Sequence, residues 1–168
     1  TSWQRLTPHE QAALCALSTF AGGFDEEAAS HVADAPTGLL QILFRKALLQ
    51  LGPASAAADR FALHALLRQF CAAKLAENTA QSAGVQHRFA THFAGLAASA
   101  ISWQAFADDW GNVLQALRFA HQSSAWALLG ELANDMSERW YQAGRYTDAR
   151  EGLALACDAA EALDDTRA

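Results

Sequence analysis

Residues 48–63 read LLQLGPASAAADRFAL. Leu48-Leu49-Gln50-Leu51 and Arg60-Phe61-Ala62-Leu63 are short apolar runs, and Gly52 to Asp59 between them is a small, turn-forming stretch. Two such runs around such a loop predict a β-hairpin. Helical signals lie on both sides of it. Upstream, Thr7-Pro8-His9-Glu10 is a capping box with proline at the first helical position. Leu14, Leu17 and Phe20 follow at helical spacing, and Gly22-Gly23 is expected to end the helix. Asp25 is the expected N-cap of a second helix running to about Ala33, with Glu26 and Glu27 at its positive end. Ala35-Pro36-Thr37 breaks the chain, and Thr37 is expected to cap a third helix over 38–47.

Three short helices followed by a hairpin make a winged helix, with the hairpin as the wing. From His64 the helical period returns through Leu66, Leu67, Phe70, Cys71 and Leu75. Residues 78–84 are polar and small, and a break is expected there. Four further helix faces follow, marked by Val85, Phe89 and Phe93, by Trp110, Val113 and Leu117, by Leu129, Leu132 and Met136, and by Tyr146, Ala149 and Leu153. The last two are separated only by residues 142–145, which forces them side by side. The expected fold is therefore all-α with a small β-hairpin. A winged-helix module over 1–76 precedes α-solenoid helical pairs over 79–168.

Composition excludes several classes. Of 168 residues, 52% are hydrophobic and 18% charged, so a core can form and global disorder is excluded. No apolar run approaches the roughly 18–20 residues of a membrane span. Residues 1–75 hold six basic and six acidic side chains. The later residues hold six basic and twelve acidic, so the formal net charge of −6 sits in the second half. Neither half carries the basic footprint of a nucleic-acid binder. Three cysteines (Cys15, Cys71, Cys157), widely spaced and without a CxxC pair, argue against a disulfide framework or structural zinc and fit a reducing cytoplasm. His87 and His92 stand about 140° apart on a helix, and no metal site is expected. The chain begins at Thr1 and its single methionine is Met136, so we read it as part of a longer protein.

Several segments carry a family resemblance. Gly144-Arg145-Tyr146-Thr147-Asp148-Ala149, with Leu153 and Ala156 after it, resembles the second half of a tetratricopeptide repeat. Trp140, Met136 and Ser137 fall on that repeat's aromatic, leucine and small positions, Ala149 on its small helix-crossing position, and Glu161 replaces its late proline. Leu6-Thr7-Pro8-x-Glu10-Gln11 and Leu17-Ser18-x-Phe20-Ala21-Gly22-Gly23-Phe24-Asp25 resemble the winged-helix subdomain that follows the NB-ARC module of bacterial STAND-type signalling ATPases. Arg60-Phe61-x-Leu63-His64-x-Leu66-Leu67-Arg68 resembles the family's segment with the MHD motif, Leu63 replacing its methionine and Ala65 its aspartate. Asn112-Val113-x-x-Ala116-Leu117-x-Phe119-Ala120 resembles the stretch before the repeats in such proteins, Gly111 replacing an aspartate and Leu114 an arginine.

The resemblance implies a regulatory segment of a signal-transduction ATPase, in a protein that regulates transcription. Its P-loop is missing from this chain. His64 would then contact a phosphate of ADP; the bland alternative is a histidine that satisfies a backbone group at a strand-to-helix junction. The implied partners are the protein's own nucleotide-binding module and a protein or small-ligand signal read by the helical repeats. ADP or ATP would belong to the longer protein, not to this segment. No nucleophile signature supports an enzyme reading of these residues. The alternative function is a stand-alone winged-helix DNA-binding regulator with a helical dimerisation tail. Residues 37–47 offer it only Arg45 and Lys46 as basic groups, both at the C-terminal end. Of the five tryptophans, Trp110, Trp126 and Trp140 are expected in helix packing, and Trp3 against a module outside the chain.

Overall fold

The computed structural model describes residues 2–52 and 60–165. They form an all-α fold with a small β-hairpin. Among the described residues there are eight α-helices and one two-stranded antiparallel pair. The chain divides into two compact units, Thr1–Arg88 and Phe89–Ala168.

In the first unit a short 3-10 turn, Ser2–Arg5, precedes α1 (Pro8–Leu17). Both bonds of the capping box are made. Glu10 N–H donates to Thr7 Oγ1 at 3.2 Å, and Thr7 N–H donates to Glu10 Oε2 at 2.9 Å. The other oxygen of Glu10 accepts from Lys46 Nζ at 2.5 Å. The helix ends at Leu17, ahead of the glycines. Ser18 and Thr19 donate their hydroxyls to the carbonyls of Cys15 and Ala16 at 2.6 and 2.7 Å. Hydroxyls that satisfy last-turn carbonyls let the chain leave the helix early, so Gly22-Gly23 is not the stop.

Asp25 caps α2 (Glu26–Ala33), accepting from Ala28 N–H at 2.8 Å. In α3 (Thr37–Arg45) the N-cap is Pro36. Thr37 is inside the helix, and its hydroxyl donates to Glu26 Oε2 at 2.7 Å instead of capping. The strands β1 (Gln50–Leu51) and β2 (Phe61–Ala62) pair with Gln50 opposite Ala62 and Leu51 opposite Phe61. The expected loop tip, 53–59, lies outside the described residues. Phe24 adds a third edge, exchanging two backbone bonds with Phe61 at 2.9 and 2.8 Å. Around this edge the core closes on Leu14, Leu17, Phe20, Phe24, Leu40 and Leu43, all fully buried.

Then come α4 (Ala65–Ala76) and α5 (Thr79–Ser99). The expected break at 78–84 shrinks to Glu77 and Asn78. Asn78 Oδ1 accepts from Gln81 N–H at 3.1 Å, so the small polar residues that look like a loop are a capped first turn.

The second unit contains a 3-10 turn, Trp103–Phe106, and α6 (Trp110–Gln122), α7 (Trp126–Gln142) and α8 (Tyr146–Asp165). Its two helix-to-helix turns share one geometry. Ser124 and Gly144 take positive φ, 55° and 68°. Ala125 N–H then bonds Ala120 O at 2.8 Å, and Arg145 N–H bonds Trp140 O at 2.8 Å. These are bonds of the Schellman type, which stop a helix and turn the chain back. Arg139 ties down the segment before α6: its Nη2 donates to Ala100 O at 2.6 Å and its guanidinium lies 5.8 Å over the Phe106 ring.

Trp140 of α7 is fully buried and packs directly on α8. A Cβ at Gly152 would stand 2.3 Å from the Trp140 ring. The small position expected from the repeat, Ala149, is half-buried. The close approach recorded at a glycine lies one turn further on.

Gly152→Ala gains about 1 kcal/mol of helix propensity, yet overpacking a rigid core costs about 1–3 kcal/mol. A buried indole has nowhere to swing, so the variant unfolds at a lower temperature than the parent in a thermal melt. The Glu10 contact is tested through pH. Its carboxyl is held below the usual range, first by the hydrogen bond from Lys46 and then by the Thr7 amide. A lowered folded pKa gives stability that is present above the unfolded value, about 4.3. That stability is lost as pH falls through the folded value. Lys46 is 43% exposed, so the pair is worth only about 0.5–1 kcal/mol. Lys46→Met therefore lowers stability by that amount at pH 7 in urea titrations. The gap between variant and parent starts to narrow below about pH 4.3 and closes only once the pH is below the lowered folded value.

Candidate functional site

His64 sits where β2 gives way to α4. Phe61 and Leu63 are buried, whereas His64 is exposed. Its backbone, at φ −58° and ψ 141°, makes it the N-cap of α4. Leu66 N–H donates to its Nδ1 at 3.4 Å. With Nδ1 assigned as the acceptor, the neutral ring carries its proton on Nε2, and that nitrogen bonds no described residue. Ala65 and Leu66 are exposed, and the first turn of α4 holds no acidic side chain. The second ring nitrogen thus stands beside a helix start whose own first turn carries no acidic side chain. That combination favours an anionic oxygen. The bland reading of His64 and the anion reading are compatible here, because each uses a different ring nitrogen.

Two guanidiniums that follow no local rule brace this junction. Arg68 Nη1 donates to Ala21 O at 2.7 Å and to Phe20 O at 3.5 Å. Arg60 Nη2 donates to Gly23 O at 2.9 Å. Together they fasten the loop between α1 and α2 to the residues just before and after His64. The sequence motif contains both arginines, but their targets lie about 40 residues away, and spacing carries no signal for that.

Other singled-out residues fall in structural places. Asn112 is buried and donates Nδ2–H to Asp109 Oδ1 at 2.7 Å. Asp109 is buried too, and Val113, Ala116, Leu117, Phe119 and Ala120 line the core of the second unit. Trp110 and Trp140 are buried and Trp126 is half-buried. Trp3 was expected to meet a module outside the chain. Within the chain its half-buried ring packs edge-on against Phe70, centroids 5.1 Å apart. His87 is exposed and His92 packs edge-on to Phe93. Among the described residues no three His, Cys, Asp or Glu side chains gather as metal ligands would, and no described helix is long and apolar enough to cross a membrane.

Two of the cysteines meet. Cys15 on α1 and Cys71 on α4 are buried free thiols that hydrogen-bond each other. That bond, and then burial, push the Cys71 thiol far above the ordinary range. A buried thiol held up in this way, as Cys71 is, is an inert packing group. Apart from this, a cleft of about 280 Å³ is lined by Arg5, Leu6, Lys46 and Leu48. Its lysine is already committed to Glu10. Comparison with protein-family models, with curated proteins and with solved structures finds no match to the chain.

Proposed function

We propose that the chain is a regulatory and interaction segment of a STAND-type signalling ATPase. Residues 1–76 act as a winged helix that holds the ADP-bound protein closed. Residues 79–168 take a protein or small-ligand signal that releases the clamp. ADP or ATP binds on a nucleotide module in the longer cytoplasmic protein, which regulates transcription. The observation that carries this reading is His64, inside Leu63-His64-x-Leu66-Leu67-Arg68. Its Nε2 is free to donate at an acid-free helix start. The order of elements supports it as well: helix, the Phe24 edge, two helices and a hairpin, as in a winged helix.

A DNA-reading role for α3 has less support. Its exposed residues are Thr37, Gly38, Gln41, Ile42, Phe44 and Arg45, and Lys46 is paired with Glu10. Phosphate contacts supply most non-specific affinity, and this surface offers few.

The test uses the full signalling protein. A hydrogen bond to a charged partner is worth about 1.5–3 kcal/mol. If His64 meets phosphate only in the closed state, the bond shifts the closed-to-open balance. His64→Ala then speeds ADP release about tenfold to a hundredfold. Equal dissociation rates in parent and variant would remove the sensor role. The 168-residue chain alone binds ADP negligibly by calorimetry, whereas nanomolar duplex binding in a low-salt mobility shift would favour the DNA-binding regulator.

A further inference from the structure

One side of α8 is committed to its own unit. Gly152 lies against Trp140, Ala159 is buried, Arg118 reaches Glu151 at 2.6 Å, and His121 reaches Asp158 at 3.2 Å. Beside that committed side runs a stripe of Tyr146, Ala149, Leu153, Ala156, Ala160 and Leu163, three and four residues apart in turn, in which Ala149 and Ala156 are half-buried and the others exposed. That rhythm, averaging about 3.5 residues, is the one by which two helices form a seam. Tyr146, Leu153 and Leu163 are 63%, 44% and 37% exposed, although each is a side chain that gains by burial.

The stripe is its own reverse. Read about the point between Ala154 and Leu155, Tyr146 falls on Leu163, Ala149 on Ala160 and Leu153 on Ala156. Large meets large at the ends, small meets small inside them, and at the middle each leucine meets an alanine. Along one edge of the stripe run Arg150, Cys157 and Asp164, seven residues apart, all exposed. Arg150 and Asp164 make no ion pair with any described residue. In an antiparallel pair of identical helices that edge runs beside its own copy. Arg150 and Asp164 of the second copy are then five residues out of level, about 7.5 Å along the axis. A long side chain leaning towards the start of its own helix spans that offset. The ion pair forms twice, once on each side of the twofold axis. Cys157 lies between the two pairs, at the same offset from Cys157 of the second copy.

We propose that this face binds a second copy of the chain, the two α8 helices lying antiparallel about a twofold axis. A symmetric interface needs one self-complementary patch, and both the apolar and the charged pattern here meet that requirement. A helix of this length spans about 30 Å. One helix pair belongs to the small, reversible class of interfaces. The inference rests on α8 alone and does not depend on the nucleotide reading of His64.

Sedimentation velocity on the 168-residue chain over a range of concentrations tests it, together with a short bismaleimide cross-linker. Cys157 is the exposed thiol and Cys15 and Cys71 are buried, so no cysteine need be introduced. The expected result is a concentration-dependent monomer–dimer equilibrium and one cross-linked dimer, which Cys157→Ser removes. Leu153→Glu places two like charges beside the axis and weakens the dimer more than tenfold, while circular dichroism stays that of the parent. Arg150→Glu weakens it too, and adding Asp164→Arg restores it. A monomer at every concentration overturns the proposal and leaves the face to another occupant, such as a further helix. So does a dimer that ignores Leu153→Glu or fails to cross-link at Cys157. Failure of the charge swap to restore binding overturns the antiparallel arrangement.

Discussion

Two backbone hydrogen bonds between Phe24 and Phe61 determine where the first unit puts everything else. They make residue 24 the outer edge of the hairpin and so anchor the loop between α1 and α2 to β2. Phe20, Phe24 and Phe61 then stack in sequence, with centroids 4.9 and 6.5 Å apart. A strand this short has little intrinsic stability in water. It holds because Phe61 is buried beside Phe24 and Phe44 and because Arg60 and Arg68 donate to carbonyls of the loop between α1 and α2. His64 inherits its position from this arrangement. Two residues past Ala62, it is where the strand must end and where α4 must begin.

The same economy appears in the second unit, where a large ring is seated against the absence of a side chain. Trp140 fills the space that a Cβ at Gly152 would claim. Its indole Nε1 has no hydrogen-bond partner among the described residues, a cost that close packing must outweigh. The left-handed residues at Ser124 and Gly144 bring the chain back at a fixed angle after α6 and after α7. Glycine takes that conformation freely. Serine does so at some strain, offset by the bond from Ala125 N–H to Ala120 O.

What was legible in the sequence was local. The capping box at Thr7 and Glu10, the cap at Asp25 and the hairpin around residue 52 depend on residues close in the chain, and each formed where its spacing placed it. Errors came where one side chain had two possible duties. Ser18 and Thr19 ended α1 before the glycines did. Thr37 spent its hydroxyl on Glu26, and Asn78 turned a loop-like stretch into a helix start. Contacts remote in sequence were invisible: Lys46 on Glu10, Cys15 on Cys71, Arg68 on Ala21. Gly152 illustrates the limit best. Nothing local separates it from a helix-weakening glycine, and only the position of Trp140 gives it a reason.

On the two readings proposed above, His64 is a donor that a neighbouring anion can engage or leave, and α8 presents a face that a second copy can engage or leave. Neither contact is a switch by itself, since a ligand shifts an equilibrium only by its differential affinity for the two states. If both operate in one protein, linkage makes any coupling reciprocal. Suppose the closed, ADP-bound form disfavours pairing of α8 helices by a factor of ten, about 1.4 kcal/mol. Pairing must then loosen ADP by the same factor. Signalling by self-association would thus need no wire between the two sites. It would need only that closure and pairing be unequal in free energy.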